Sequence, residues 1–260
     1  MRKDTSLPIA FGLALTLLAG ACSSEEPPPP PPAGGGRQVD AATTGSLSGR
    51  ITFTGPPPAA GIVRMGADPA CVQGAGPNPQ SDAVLIGDDG ALQNVFVHVK
   101  GGLDPAYSFA TPTEPALLDQ KGCLYTPRVL GVRVGQPIRV LNSDSTMHNV
   151  HALPMINAEF NKSTPALGTD TTQTFTVPEV MVRFKCDVHG WMVAWVGVVA
   201  HPYFAVTDRT GAFEIGNLPP GSYTVEAWHE TFGTRSAQVT IGEKQAQTVS
   251  FTFTAAAAGQ

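Results

Sequence analysis

The chain has 260 residues, 42% of them hydrophobic and 14% charged, enough to bury one large core or two ordinary ones. Its formal net charge of -5 comes without any block of lysine or arginine. The basic footprint that a phosphate backbone requires is therefore missing, and nucleic acid is excluded as an expected partner.

The N-terminus places Arg2 and Lys3 before the apolar run IAFGLALTLLAGA, the order of an export signal, over residues 1–21. That run is too short for a confident membrane span. LLAGAC resembles the bacterial lipobox, which implies lipidation of Cys22 and attachment to the periplasmic face of a membrane by a lipid anchor. Ala19-Gly20-Ala21 also satisfies ordinary signal cleavage, so a soluble periplasmic product is the alternative. Residues 22–45, with a proline run at 27–32 and glycines at 34–36, cannot bury apolar surface and read as a tether. The proline run extends ~19 Å as polyproline.

From Ser46 onward the pattern is that of strands, with almost no helical period. LSGRITFTG alternates with Leu47, Ile51 and Phe53 inward, then NVFVHVKGG, VLGVRVGQPIRVLN, TQTFTVP, VMVRFKC and MVAWVGVVA follow between Gly, Pro and Asp turns. Turns at Asp208 to Gly211 and at Pro219-Pro220-Gly221 flank a further strand, and Tyr223, Val225 and Ala227 alternate in the next. AQTVSFTFT is the last. Such a series predicts an all-β sandwich architecture.

Cysteine arithmetic narrows the chemistry. With Cys22 assigned to lipid, Cys71, Cys123 and Cys186 remain in an oxidising compartment, an odd number. Cys71 in GADPACVQGAGPNPQ and Cys123 in DQKGCLYTP sit in loops at expected surface positions and form the expected disulfide. Cys186 is left over. Val182, Phe184 and Cys186 share one strand parity, so its thiol leaves the strand end on the core side. In RFKCDVHGWM, His189 and Met192 follow closely enough to converge with Cys186. A fourth donor is expected from SDSTMHNVHAL, where parity puts His148 and His151 on opposite faces without choosing between them.

Two family resemblances interleave. TDRTGAFEIGNLPPGSYTVEA, with GSLSGRITFTG upstream, resembles carboxypeptidase regulatory-like (transthyretin-like) β-sandwich modules. The intervening part resembles the cupredoxins, the small blue-copper proteins, of amicyanin and plastocyanin type. The resemblance implies a Greek-key cupredoxin sandwich over 104–200, packed with or inserted into a regulatory-like sandwich built from 46–103 and 201–255, with NVFVHVKGG open to either. It also implies one mononuclear type 1 copper site: His148, in a His-Asn-Val-His context, joins Cys186 and His189 in a plane, Met192 is axial, and Asn149 ties the two ligand loops by hydrogen bonds. Thiolate and thioether suit cuprous copper and imidazoles the cupric state, whereas structural zinc sites avoid thioether.

The expected function is single-electron transfer to a redox partner protein in the periplasm, through an exposed edge of His189 beside Trp191. Copper storage, delivery or sensing with the same ligands is the alternative. His98 reads as a solvent-facing strand residue, and His151, His201 and His229 could in principle assemble a second site. Glu226 and Glu230 flank His229 without a nucleophile or oxyanion arrangement, so neither an enzyme nor a small-molecule substrate is expected.

Overall fold

The structure is a computed structural model that describes residues 35–255. The expected signal segment and Cys22 lie outside the described residues. In chain order the elements are β1 (Gly45–Thr54), helix α1 (Pro69–Ala75), β2 (Phe96–Gly101), β3 (Ala116–Lys121), β4 (Leu124–Thr126), β5 (Val129–Arg133), β6 (Pro137–Asn142), β7 (His148–Leu153) and β8 (Phe160–Thr164). There follow β9 (Asp170–Thr174), β10 (Glu179–Lys185), β11 (Val193–Val199), β12 (Phe204–Val206), β13 (Ala212–Leu218), β14 (Gly221–His229), β15 (Gly233–Ile241), β16 (Ala246–Thr248) and β17 (Phe251–Thr254). The all-β expectation holds, with two sandwiches.

One sandwich faces the sheet β5-β11-β10-β7-β8 with the sheet β4-β3-β6-β9. Its core takes alternate residues from both, among them Leu118, Ile138, Val140, Val150, Val182 and Phe184. Residues of period two fill this space because successive side chains of a strand point to opposite faces. The other sandwich sets β13-β1-β16, with β17 also paired to β1, against β12-β2-β14-β15. Leu47, Ile51, Phe53, Tyr223, Val225 and Ala227 are buried in its core, on the parity the sequence predicts. NVFVHVKGG, open between the two, enters the second: β2 pairs with β12 and β14. The second sandwich thus takes strands from both sides of the first along the chain.

The sandwiches meet at a joint built from Phe96, Val129 and Val199, with Trp195, Phe204 and Trp228 packed around them. Gly131 and Gly197 are directly paired across β5 and β11. A Cβ on Gly131 would lie 2.3 Å from the Phe204 ring and one on Gly197 2.5 Å from Phe96, so only glycine lets the two rings approach this backbone. Arg128 reinforces the joint as a buried guanidinium paired with Asp82 and Glu230. The joint also corrects the reading of His98 as solvent-facing: it is 5% exposed, on the face of β2 that Phe96 shares, because the first sandwich covers that face.

Before the first sandwich, residues 62–80 fold back on themselves through Val63 N–H to Pro79 O (2.9 Å) and Met65 N–H to Pro77 O (3.2 Å), enclosing α1. Val63, Met65 and Cys71 reach into the first core. This segment, read from sequence as a surface loop, is a cap on one end of that sandwich. The residues from Gly35 that precede β1 are in contact with the fold as well: Arg37 pairs with Asp104 at 2.7 Å and stacks over Tyr107.

Candidate metal centre

The site is built where two adjacent strands end. β7 and β10 are antiparallel neighbours with His151 opposite Lys185, which brings the start of β7 beside the end of β10. Val182, Phe184 and Cys186 are all buried, so the thiol leaves β10 on the core side. The chain then turns tightly: Met192 N–H donates to His189 O (2.9 Å) and Cys186 N–H to Met192 O (3.2 Å). Asn149 crosses between strand and loop, its Oδ1 accepting from Asp187 N–H at 2.6 Å and its Nδ2 donating to Asp187 and Asn161.

Within this frame one donor atom each of His148, Cys186 and His189 lie within 4.8 Å of one another. The side chains are 0%, 1% and 4% exposed, and Met192, at the far end of the loop, is fully buried in the same core. His148 Nδ1 faces His189 Nδ1 at 2.9 Å, and Cys186 Sγ lies 4.0 Å from His189 Nδ1.

The opposite edges of both rings are held by carboxylates. Asp144 Oδ2 lies 2.9 Å from His148 Nε2, and Asp68 Oδ2 lies 3.0 Å from His189 Nε2. A carboxylate only accepts, so each Nε2 carries the hydrogen and each Nδ1 turns its lone pair inward. Two lone pairs facing each other at 2.9 Å repel unless a proton or a cation sits between them. Without metal a proton serves: burial lowers the His148 pKa, but the hydrogen bonds to Asp144 and Cys186 outweigh it and raise it to about 9. Burial likewise pushes the Cys186 thiol up, yet His148 and the N–H groups of Asn149, His189 and Val188 hold it below its ordinary value. Hydrogen-bond donors thus converge on this sulfur, a setting that favours thiolate. The converging donors, soft sulfur with two imidazoles, fit a copper ion. Cys186, His148 and His189 would hold it, with Met192 as the remaining candidate donor.

The structure chooses between the two upstream histidines by strand face. His148 is buried at the cluster, whereas His151 lies toward solvent between Asp187 (2.9 Å) and Glu159 (2.7 Å). His151, His201 and His229 do not gather: His201 donates to Val99 O at 2.8 Å, and His229 stacks on Phe232 in the second core. The expected exposed edge of His189 is also corrected. Its outer nitrogen is covered by the cap, where Cys71 Sγ lies 3.7 Å away, and Trp191 packs on the ring while donating to Cys123 O at 3.0 Å.

Cys71 and Cys123 form the expected disulfide, with Cα atoms 5.4 Å apart, but both are buried rather than at the surface. Asp68 and Asp144 are the residues that sequence reasoning missed. Asp68-Pro69 is an N-cap followed by proline at the first helical position, a legible helix start. Nothing local in NSDSTMH marks Asp144 as a partner of a ligand.

Fold and site together define an all-β chain of two sandwiches, one of which carries a buried cluster of a thiol and two imidazoles. Residues 194–254 match the carboxypeptidase regulatory-like domain family. That match begins inside β11, a strand of the first sandwich, while the second sandwich also uses β1 and β2 from upstream. No curated protein matches the chain. Among solved structures it is similar to a purple cupredoxin from Nitrosopumilus maritimus, at 22% identity and TM-score 0.28 over 32% of this chain and 98% of that one. It is also similar to a Cu(I) amicyanin variant, at 20% identity and TM-score 0.30 over 39% of this chain and 97% of that one. A Cu-containing nitrite reductase from Thermus scotoductus aligns at 23% identity and TM-score 0.29, over 37% of this chain and 26% of that one.

Proposed function

We propose that this chain is an exported mononuclear copper protein that passes single electrons, holding the ion through His148, Cys186 and His189 with Met192 as a weaker fourth donor. The observation that carries the reading is the convergence of two inward-facing imidazole Nδ1 atoms and a sulfur at one buried point, from segments 38 residues apart. A copper ion bound there supplies a one-electron couple. The chain itself supplies rigidity: both rings are tied at Nε2, the two loops are tied by Asn149, and burial keeps water away. Donors fixed in this way move little between oxidation states, which suits a carrier better than a protein that must release its metal. The expected partner is a redox protein of the same compartment, and neither a substrate nor an enzymatic reaction is proposed.

Cys22 is proposed as the lipid anchor to the membrane. Among the described residues no helix is long and apolar enough to cross one. Fractionation of cells making the wild-type or Cys22→Ala chain tests the anchor; wild-type protein found only in the soluble fraction refutes it.

The site is tested by adding cupric ion to metal-free protein and recording visible absorption and electron paramagnetic resonance. An intense sulfur-to-copper band that Cys186→Ser abolishes is expected. Stoichiometric cupric binding without that band defeats the reading. Reversible reduction at an electrode without copper loss distinguishes a carrier; ready loss of copper to a chelator instead marks storage or delivery.

A further inference from the structure

We propose that Asp68 and Asp144 are positioning residues for the candidate centre: each holds the Nε2–H of one imidazole and so turns its Nδ1 edge toward the point it shares with Cys186, and the Cys71–Cys123 disulfide holds both carboxylates in place. The role for a metal rests on the copper reading above, whereas the tautomer does not.

The geometry is paired. Asp144 accepts from Gly122 N–H at 2.7 Å and Cys123 N–H at 2.8 Å, and its remaining capacity goes to His148 Nε2 at 2.9 Å. Asp68 accepts at Oδ1 from Ala70 N–H (2.8 Å) and Cys71 N–H (3.4 Å), and at Oδ2 from Thr146 Oγ1 (2.9 Å) and His189 Nε2 (3.0 Å). Each carboxylate is therefore oriented by backbone donors before it meets its ring. In each case one of those donors is the N–H of a disulfide cysteine. The staple thus joins the two anion positions to one another as well as joining cap to sandwich. Carboxylate ties of this kind orient a ligating imidazole and raise its basicity, and their loss costs 10–100-fold in metal affinity.

Asp68→Asn separates positioning from folding. Asparagine is as good an N-cap as aspartate, so its Oδ1 keeps Ala70 and Cys71. Its amide then presents N–H groups toward His189 Nε2. A donor there favours the Nδ1–H tautomer, which puts a hydrogen where the inward lone pair is needed.

Imidazole 15N spectra of the metal-free full chain, at one neutral pH, are expected to report His189 as the Nε2–H tautomer in wild type and as Nδ1–H in Asp68→Asn, with unchanged thermal stability. Cupric affinity is expected to fall 10–100-fold. The reduction potential rises, since the cupric state gains most from a basic imidazole. An Nε2–H signal in both chains, with equal cupric affinity and potential, overturns the proposal. A large loss of stability in Asp68→Asn with the tautomer unchanged overturns it in favour of a capping role alone. A tautomer switch between wild type and Asp68→Asn, with a wild type that never binds copper, refutes the copper reading while upholding the positioning.

Discussion

Removal of the Cys71–Cys123 bridge by a double Cys71→Ala, Cys123→Ala change is expected to destabilise the metal-free fold by about 4 kcal/mol. The bridged residues are 52 apart. With that loop length, the chain-entropy relation gives about 14 cal/mol/K, or about 4 kcal/mol at 25 °C. Both sulfurs are buried in the first core, so the two alanines also leave small voids that add to the loss. Beyond the bridge the cap is held by backbone bonds across its base, the apolar side chains it sends into the core, among them Val63 and Met65, and the Asp68 hydrogen bonds to Thr146 and His189. Urea denaturation of wild type and double variant, followed by intrinsic tryptophan fluorescence, measures the difference. Amide exchange at Val72 and Gly76, whose N–H groups close α1, tells whether the cap opens before the rest. A loss below about 1 kcal/mol with unchanged exchange would refute the reasoning, because the cap would then be held by packing and not by the staple.

Gly131→Ala is expected to cost about 1–3 kcal/mol, since its Cβ would overlap the Phe204 ring wedged in the joint; a loss under about 0.5 kcal/mol in the same urea assay would mean that the ring can step aside. His201 and His229 are both lowered to about 4, chiefly by burial. Their folded values lie below the unfolded one, so the stability they allow is complete above about pH 6.5 and is lost as pH falls toward 4, up to about 3 kcal/mol each. Urea midpoints at pH 7, 5.5 and 4 test this; midpoints that stay level would contradict it. Met192→Gln is expected to keep copper bound and lower the reduction potential, because an oxygen donor favours the cupric state. His151→Ala should leave the copper spectrum unchanged, and loss of colour there would show that the wrong histidine was chosen.

What was legible in the sequence was what local parity carries. Alternation located the inward residues of β1 and β14 and the core-side exit of Cys186, because a strand repeats every two residues wherever it lies in the fold. An odd count of thiols separated Cys186 from the staple. Facts decided between distant segments were hidden. His98 alternates like a solvent-facing residue, and only the arrival of a second sandwich on that face buries it. The covering of His189 depends on Asp68, 121 residues earlier, whose sequence context announces a helix start but not what lies above it. Asp144, four residues before His148, reads as an ordinary turn residue until the loop holding Gly122 and Cys123 is placed beside it.

The interleaved order of strands has a consequence for how the chain comes to its shape. β1 emerges first among the strands, yet its neighbours β13, β16 and β17 lie near the other end, with Thr52 opposite Thr252. The strands β3 to β11 form a continuous stretch that can close its own sheets meanwhile. During synthesis, β1 therefore waits with most of its backbone donors and acceptors unpaired for the length of an entire sandwich, a condition that invites pairing with other chains. A chain stopped before Ala246 would keep it waiting permanently on one side. Such a product should aggregate or be cut near residues 45–54, and a truncated chain that stays monomeric and protease-resistant there would show that β1 has no need of its late partners.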